Sequence, residues 1–283
     1  MARGMLQPSG VGRRFFLALL CATVPWTGTA QAATGILAVG DFGVGGTTER
    51  EMGAAMNRFA ANHPAAALLV TLGDNDYTER PRAFHRNWIG SFGWLASAGL
   101  RVAGTLGNHD IRVDGGRYEY DELDMPRAHY RRSVGNVTFF ILNSNRVNSV
   151  QTEWLKKVLP ASTAMWKIVV FHHPAWTCGA YRSNTAIVQT WVPLFERYGV
   201  QLVLNGHDHN YQRFAPRHGV RYIVHGGGGQ HLYPIERCPA SYPARRFARA
   251  VHGFLYLRAT DTQLRVSSLT RRRNVIDSVV IYP

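Results

Sequence analysis

Short apolar runs alternate along this chain with segments whose apolar residues recur every three or four positions, the signature of strands interleaved with amphipathic helices. Thr34 to Gly40 reads as a strand running into Asp41-Phe42-Gly43. Thr48 is the expected cap of a helix reaching about Asn62, with Glu49 and Glu51 in its first turn and Met52, Met56 and Phe59 on one face. The apolar run 67–72 reads as a buried strand that turns out at Gly73-Asp74-Asn75-Asp76-Tyr77. Residues 82–98 are helix-like, with a core stripe of Phe84, Trp88, Phe92 and Leu95. A third strand, 100–106, runs into Gly107-Asn108-His109-Asp110, and a basic, Tyr-rich connection follows over 111–135.

The pattern continues with a strand at 137–142, a short helix capped by Thr152, and a strand at 166–171 leading into His172-His173-Pro174. Thr185 to Tyr198 reads as helix kinked or divided at Pro193. A strand at 201–204 runs into Asn205-Gly206-His207-Asp208-His209-Asn210. Arg221 to Val224 then leads to the run Gly226 to Gly229, with further strands at 253–259, 263–269 and 275–282. Strand–helix alternation followed by closely spaced strands predicts an α/β sandwich with central sheets and outer helices. Five of the strands run into loops carrying Asp, Asn or His, and the carboxyl ends of strands are where such sheets place a site.

The length of 283 residues and 46% hydrophobic content suit one large domain, and no composition break divides the middle. Residues 1–32 read as a signal peptide, leaving 33–283 as the mature domain. Arg13-Arg14 precede an apolar run from Phe15 to Val24 that is too short to span a membrane, and Ala30-Gln31-Ala32 offers small residues for cleavage. The paired arginines with Phe15, Phe16 and Leu17 resemble a twin-arginine signal, although Gly12 and Ala18 depart from it. The expectation is a periplasmic or secreted protein without a stable membrane anchor. Loss of Arg3, Arg13 and Arg14 lowers the formal charge from +14 to +11, which favours anionic partners. Nucleic acid is one candidate, but the arginines are scattered and no nucleic-acid-binding signature occurs, so no specific nucleic-acid partner is expected; phosphorylated small molecules fit the charge equally well. Cys178 and Cys238 remain in the mature chain, where a bridge and two free thiols are both open.

The strand-end residues Asp41, Asp74, Tyr77, Asn108, His172, His207 and His209 mix hard oxygen donors with imidazoles, a set suited to Fe, Zn or Mn. Each has a plainer reading. Asp41 can cap a loop, Asn108 can satisfy a turn, and His172 can be a hydrogen-bonded core histidine. Their joint occurrence, each at a strand end, favours a metal site. Seven donors exceed one tetrahedral zinc and suit two ions sharing Asp74.

The series Asp41-x-Gly43, Gly73-Asp74-x-x-Tyr77, Gly107-Asn108-His109-Asp110, Val169-x-x-His172 and Gly206-His207-x-His209 resembles the five-motif signature of purple acid phosphatases, within the calcineurin-like metallophosphoesterases. The resemblance covers Ile36 to Phe214 and is that of the small single-domain type. It implies a four-layer αββα sandwich. It implies Fe(III) on Asp41, Asp74, Tyr77 and His209, and a divalent Fe, Zn or Mn on Asp74, Asn108, His172 and His207. The activity implied is hydrolysis of phosphate monoesters by a metal-activated hydroxide, with His109 as a catalytic group and Asp110 orienting it. A phosphodiesterase or nucleotide hydrolase on the same scaffold, and a non-catalytic metal-stabilised binder of anionic polymers, are the alternatives. Asp76 falls at a variable position, and His173 is either a donor behind the ligands or, as favoured, a family-variable residue. One departure stands out: no histidine lies between Pro174 and Asn184, where the family often has a substrate-facing one. Arg182 and His225 are the candidate replacements.

Overall fold

In the computed structural model, which describes residues 1, 2, 4 and 33–283, the apolar runs pair into two central sheets. Apart from residues 1, 2 and 4, the leader read over 1–32, with its paired arginines, lies outside the described residues. The first half of the unit runs β1 (Thr34–Val39), α1 (Thr47–Ala60), β2 (Ala66–Thr71), α2 (Pro81–Phe92), α3 (Trp94–Ser97) and β3 (Arg101–Ala103). After a 3-10 turn at Asp110–Arg112 come α4 (Glu119–Glu122), β4 (Tyr130–Val134), β5 (Val137–Ile141), α5 (Ser149–Val158) and β6 (Trp166–Val170). The rest is α6 (Thr185–Thr190), α7 (Val192–Arg197), β7 (Leu202–Asn205), β8 (Tyr211–Phe214), β9 (Arg221–His225), β10 (Arg245–Arg249), β11 (Gly253–Ala259), β12 (Leu264–Thr270) and β13 (Val275–Ile281).

One sheet has the order β13-β12-β11-β1-β2-β3 and the other β10-β8-β9-β7-β6-β5-β4. β1, β2 and β3 are parallel, as are β5, β6, β7 and β9. The inner strands read as continuous apolar runs because both faces are covered. Ile168 and Val170 belong to the core between the sheets, whereas Val169 faces the cluster formed with Leu155, Ile187, Val192 and Phe195. On the opposite side Met52, Met56, Phe84, Trp88 and Phe92 of α1 and α2 close the first sheet. The αββα layering expected from the resemblance is therefore present. Among the described residues no helix is long and apolar enough to cross a membrane.

Several local expectations need correction. The segment read as one helix over 82–98 breaks at Gly93, whereas that over 185–198 divides as expected, at Trp191 just ahead of Pro193. Thr152 is not a cap: Asn148 accepts from Gln151 N at 3.1 Å, and Thr152 bonds back to the Asn148 carbonyl within α5. Strands β4, β8 and β10 were not legible. β4 and β10 are sheet edges whose alternate residues are arginines and serine, so no apolar run marks them.

Thr48 does not cap α1 either, since the helix begins at Thr47 behind Gly46, with no side-chain cap. The Glu49 carboxylate instead accepts the Gly45 N–H at 2.7 Å. Glu49 is buried, and burial pushes its carboxyl up to about 7 against the pull of that hydrogen bond. A carboxyl raised on folding holds a proton that the unfolded chain has released, so its stabilisation is complete below the unfolded value and lost as pH rises towards 7. Glu49→Gln should therefore gain stability relative to the native chain between about pH 4.5 and 7, reaching about 3 kcal/mol. Thermal melts across that range check it; a difference independent of pH would remove Glu49 as the cause.

Candidate metal centre

The parallel order of the two sheets brings five strand ends to one edge. The loop after β1 carries Asp41, that after β2 carries Asp74 and Tyr77, and that after β3 carries Asn108 and His109; β6 leads to His172 and β7 to His207 and His209. Backbone bonds lock these loops together: Asp41 N donates to Gly73 O at 2.9 Å, Tyr77 N to Gly43 O at 2.8 Å and Gly206 N to His172 O at 3.1 Å. Asp41, Asp74 and His207 are non-glycine residues in the left-handed region, with φ of 58°, 53° and 69°. Such backbone costs on the order of 1–3 kcal/mol each and persists where packing imposes it. The motif glycines are spaces as much as turns. A Cβ on Gly107 would lie 2.2 Å from Asp74 Oδ1, and one on Gly73, itself at φ +90°, would lie 2.5 Å from His172 Nδ1.

All seven expected ligand residues meet. Tyr77 Oη lies 3.3 Å from Asp41 Oδ1, 3.0 Å from Asp74 Oδ2 and 3.2 Å from His209 Nε2. His172 Nε2 lies 3.4 Å from Asp74 Oδ2, 3.1 Å from Asn108 Oδ1 and 3.2 Å from His207 Nδ1. Two donor sets result, Asp41–Asp74–His209 and Asp74–His172–His207, with the ligating atoms in each within 4.8 Å of one another. Asp74 is common to both.

The donor chemistry fits a pair of cations. His172 Nδ1 bonds the Leu72 carbonyl at 2.9 Å and His209 Nδ1 bonds the His231 carbonyl at 2.8 Å, which leaves each Nε2 turned to the carboxylates. Asp41 and Asp74 are buried, and among the described residues neither forms an ion pair with a Lys or Arg. Burial pushes the Asp41 carboxyl up, and the Asp74 charge adds to this against His172 and His209. Burial also acts to raise Asp74, but His172 and the His109 N–H overcome it and hold the carboxyl below the usual range. His172 is correspondingly pushed up to about 9, the two carboxylates outweighing burial. The Tyr77 phenol is driven well above its ordinary value, by burial first and then by Asp41 and Asp74. Protons shared among crowded anionic donors are what cations at the same positions would replace. This is a binuclear site, suited to a phosphoesterase that uses a metal-activated hydroxide.

His109 lies at the rim, its ring 4.3 Å from that of Tyr77 and its backbone N–H on Asp74 Oδ1 at 2.9 Å; among the described residues its buried Nδ1 has no partner. The expectation that Asp110 orients His109 is not met. Asp110 accepts instead from Asn75 N at 2.7 Å, Asp76 N at 3.1 Å, Gly107 N at 2.6 Å and Asn75 Nδ2 at 2.8 Å, all on the loops that carry the ligands. Asp76 holds Thr78 and Tyr118 and takes no part in the cluster. His225 is fully buried beside Tyr211 and is no substrate contact. Arg182 is exposed, and the residue next to it, Tyr181, covers the centre by stacking on His207 at 4.0 Å.

Three residues near the cluster were missed or undervalued. Tyr233 stacks on His209 at 4.0 Å and 10°, and its hydroxyl lies 3.4 Å from that of Tyr181. His173 bonds Ser144 at 2.9 Å and packs 4.5 Å from His207, so it backs a ligand. Asp208, between two ligand histidines, turns away to accept from Thr177 and Ala180. The cysteines, left open by the sequence, form the disulfide Cys178–Cys238. Only the histidine pair and the motif spacing gave any signal; Tyr233 sits in a segment without periodicity.

Residues 35–211 match the family described as Calcineurin-like phosphoesterase. Tartrate-resistant acid phosphatase type 5 of rabbit (Oryctolagus cuniculus) is 26% identical over 291 aligned residues, covering 86% of this chain and 89% of that protein. Among solved structures, GAP50, the anchor in the inner membrane complex of Plasmodium, superposes with a TM-score of 0.75 at 15% identity over 88% of this chain and 89% of its own. Purple acid phosphatase PPD1 of yellow lupin (Lupinus luteus) has the same TM-score at 16% identity, over 89% of this chain and 54% of its own. The two structures share the fold with this chain, and activity has to be argued from the site.

Proposed function

The chain belongs to the calcineurin-like phosphoesterase family, and from that premise we propose that it is an acid phosphatase of the purple type, hydrolysing phosphate monoesters. The observation that carries this reading is the sharing of Asp74 between two donor sets, with Tyr77 against the first and Asn108 against the second. Asp41, Asp74, Tyr77 and His209 would hold Fe(III), since two carboxylates and a phenolate neutralise a trivalent ion. Asp74, Asn108, His172 and His207 would hold divalent Fe, Zn or Mn. When bound, such a pair supplies a water of lowered pKa and positive charge at the phosphoryl oxygens.

The chain's own residues do the rest. Asp74 fixes the spacing of the two sites, while the Leu72 and His231 carbonyls hold His172 and His209 with Nε2 available. His109, whose ring stands at the rim beside Tyr77, is assigned to the phosphoryl group and to protonation of the leaving oxygen. Asp110 keeps the Asp74 and Asn108 loops in register. We also propose that the enzyme works outside the cytoplasm, in the periplasm or secreted. Support comes from the Cys178–Cys238 disulfide, a bond that persists in oxidising compartments.

Metal analysis of the purified protein, with hydrolysis of p-nitrophenyl phosphate and its bis-ester measured side by side, tests the reading. Two ions per chain and faster monoester turnover are expected. Faster diester turnover would move the assignment to a phosphodiesterase. Two bound ions with no turnover of either would leave a metal-stabilised binder.

A further inference from the structure

The histidines of the centre are not held alike. His172 and His209 each bond a backbone carbonyl through Nδ1, the usual way a ligand ring is fixed. His207 meets the cluster through Nδ1, 3.2 Å from His172 Nε2, and among the described residues its Nε2 has no hydrogen-bond partner. What fixes this ring is packing: Tyr181 lies on it at 4.0 Å and 23°, with His173 at 4.5 Å. Tyr181 is 40% exposed and sits on a loop, so its own position needs a cause.

That cause is close in the chain. Cys178, just before Tyr181, is bridged to Cys238, and the Cys178 carbonyl accepts from Glu236 N at 2.9 Å and from Arg245 Nη1 at 3.1 Å. Ala180 N donates to Asp208 Oδ1 at 3.1 Å, tying the loop to the residue beside His207. Tyr233, just before Cys238, brings its hydroxyl to 3.4 Å from that of Tyr181. The disulfide thus clamps the two segments whose tyrosines cover the centre.

We infer that Tyr181 is the positioning residue for His207, and that the Cys178–Cys238 bridge, by holding Tyr181 in place, governs how tightly the Asp74–Asn108–His172–His207 site keeps its ion. The inference rests on the two-cation reading above. For Tyr181 it predicts a larger effect at one of the two sites, because His209 keeps its carbonyl bond.

The test counts metal on purified protein by mass spectrometry and follows release to EDTA over time. Tyr181→Ala should release one of its two ions about tenfold or more faster than the native chain, the loss typical when support of a ligand is removed. Tyr181→Phe, which keeps the ring, should stay within about twofold of native. Cys178→Ala/Cys238→Ala should speed release from that site at least as much and, because it also frees Tyr233 over His209, from the other site as well, with circular dichroism establishing that each variant is folded. Native release of both ions from folded Tyr181→Ala overturns the role of Tyr181, as does equal acceleration of both. Native release from the cysteine double variant overturns the role of the bridge. Fewer than two ions on the native chain removes the two-cation reading, and the inference with it.

Discussion

Asp74→Ala is expected to give a folded protein that retains neither ion and hydrolyses p-nitrophenyl phosphate at background. Asp74 is the one residue in both donor sets, and its carboxylate is 2% exposed. Its Oδ2 faces Tyr77 at 3.0 Å and His172 at 3.4 Å, while Oδ1 accepts the His109 N–H at 2.9 Å. Removing it takes the shared charge from both sites and frees the segment that carries the rim histidine. A metal pair contributes several kcal/mol at the transition state, so turnover should fall by at least about a thousandfold. Folding should suffer far less. Alanine at φ 53° costs about 1 kcal/mol, but the substitution also removes a buried carboxylate that lies beside Asp41. Metal counting, a thermal melt and steady-state kinetics on one preparation check the result. Two retained ions with near-native turnover would refute the shared-carboxylate account.

Asp110→Ala should act through stability instead. The buried Asp110 carboxylate accepts three backbone N–H groups and the Asn75 amide, joining the Asp74 loop to the Asn108 loop. Alanine leaves those donors buried and unpaired, at about 1–3 kcal/mol for each that cannot relax. A loss of about 3–5 kcal/mol is expected, lowering the melting temperature by roughly 10 °C. Metal should go with it, because both loops carry ligands. His109→Ala separates the two roles: it should melt near the native temperature, keep both ions, and lose about 10²–10⁴ in turnover. If Asp110→Ala were as stable as the native chain and mimicked His109→Ala, Asp110 would be acting through His109 after all.

The contrast between these neighbours marks where the sequence stops informing. Asp110 follows Asn108-His109 directly, and adjacency made His109 its expected partner. In the fold the chain enters a 3-10 turn at Asp110, so its side chain meets the Asp74 loop rather than the ring beside it in sequence. The same limit applies to Thr48 and Thr152, residues with capping chemistry at positions where Glu49 and Asn148 do the work. It applies again to edge strands β4 and β10, which bury too little to leave an apolar run.

What the sequence determined by itself was the order of strands and helices, the two-sided burial of the inner strands, and the donor types waiting at five strand ends. These follow from short-range chemistry: side-chain period, turn-forming glycines and the hardness of oxygen and imidazole ligands. Tertiary structure alone decided which donors meet. Asp41 and His209 are 168 positions apart and come within 3.4 Å only because parallel strands of both sheets end at the same edge. It also decided the partner of Cys178 and the stacking of Tyr181 and Tyr233 over the ligand histidines. No local pattern encodes those contacts, since each joins loops whose separation is set by the packing of whole sheets.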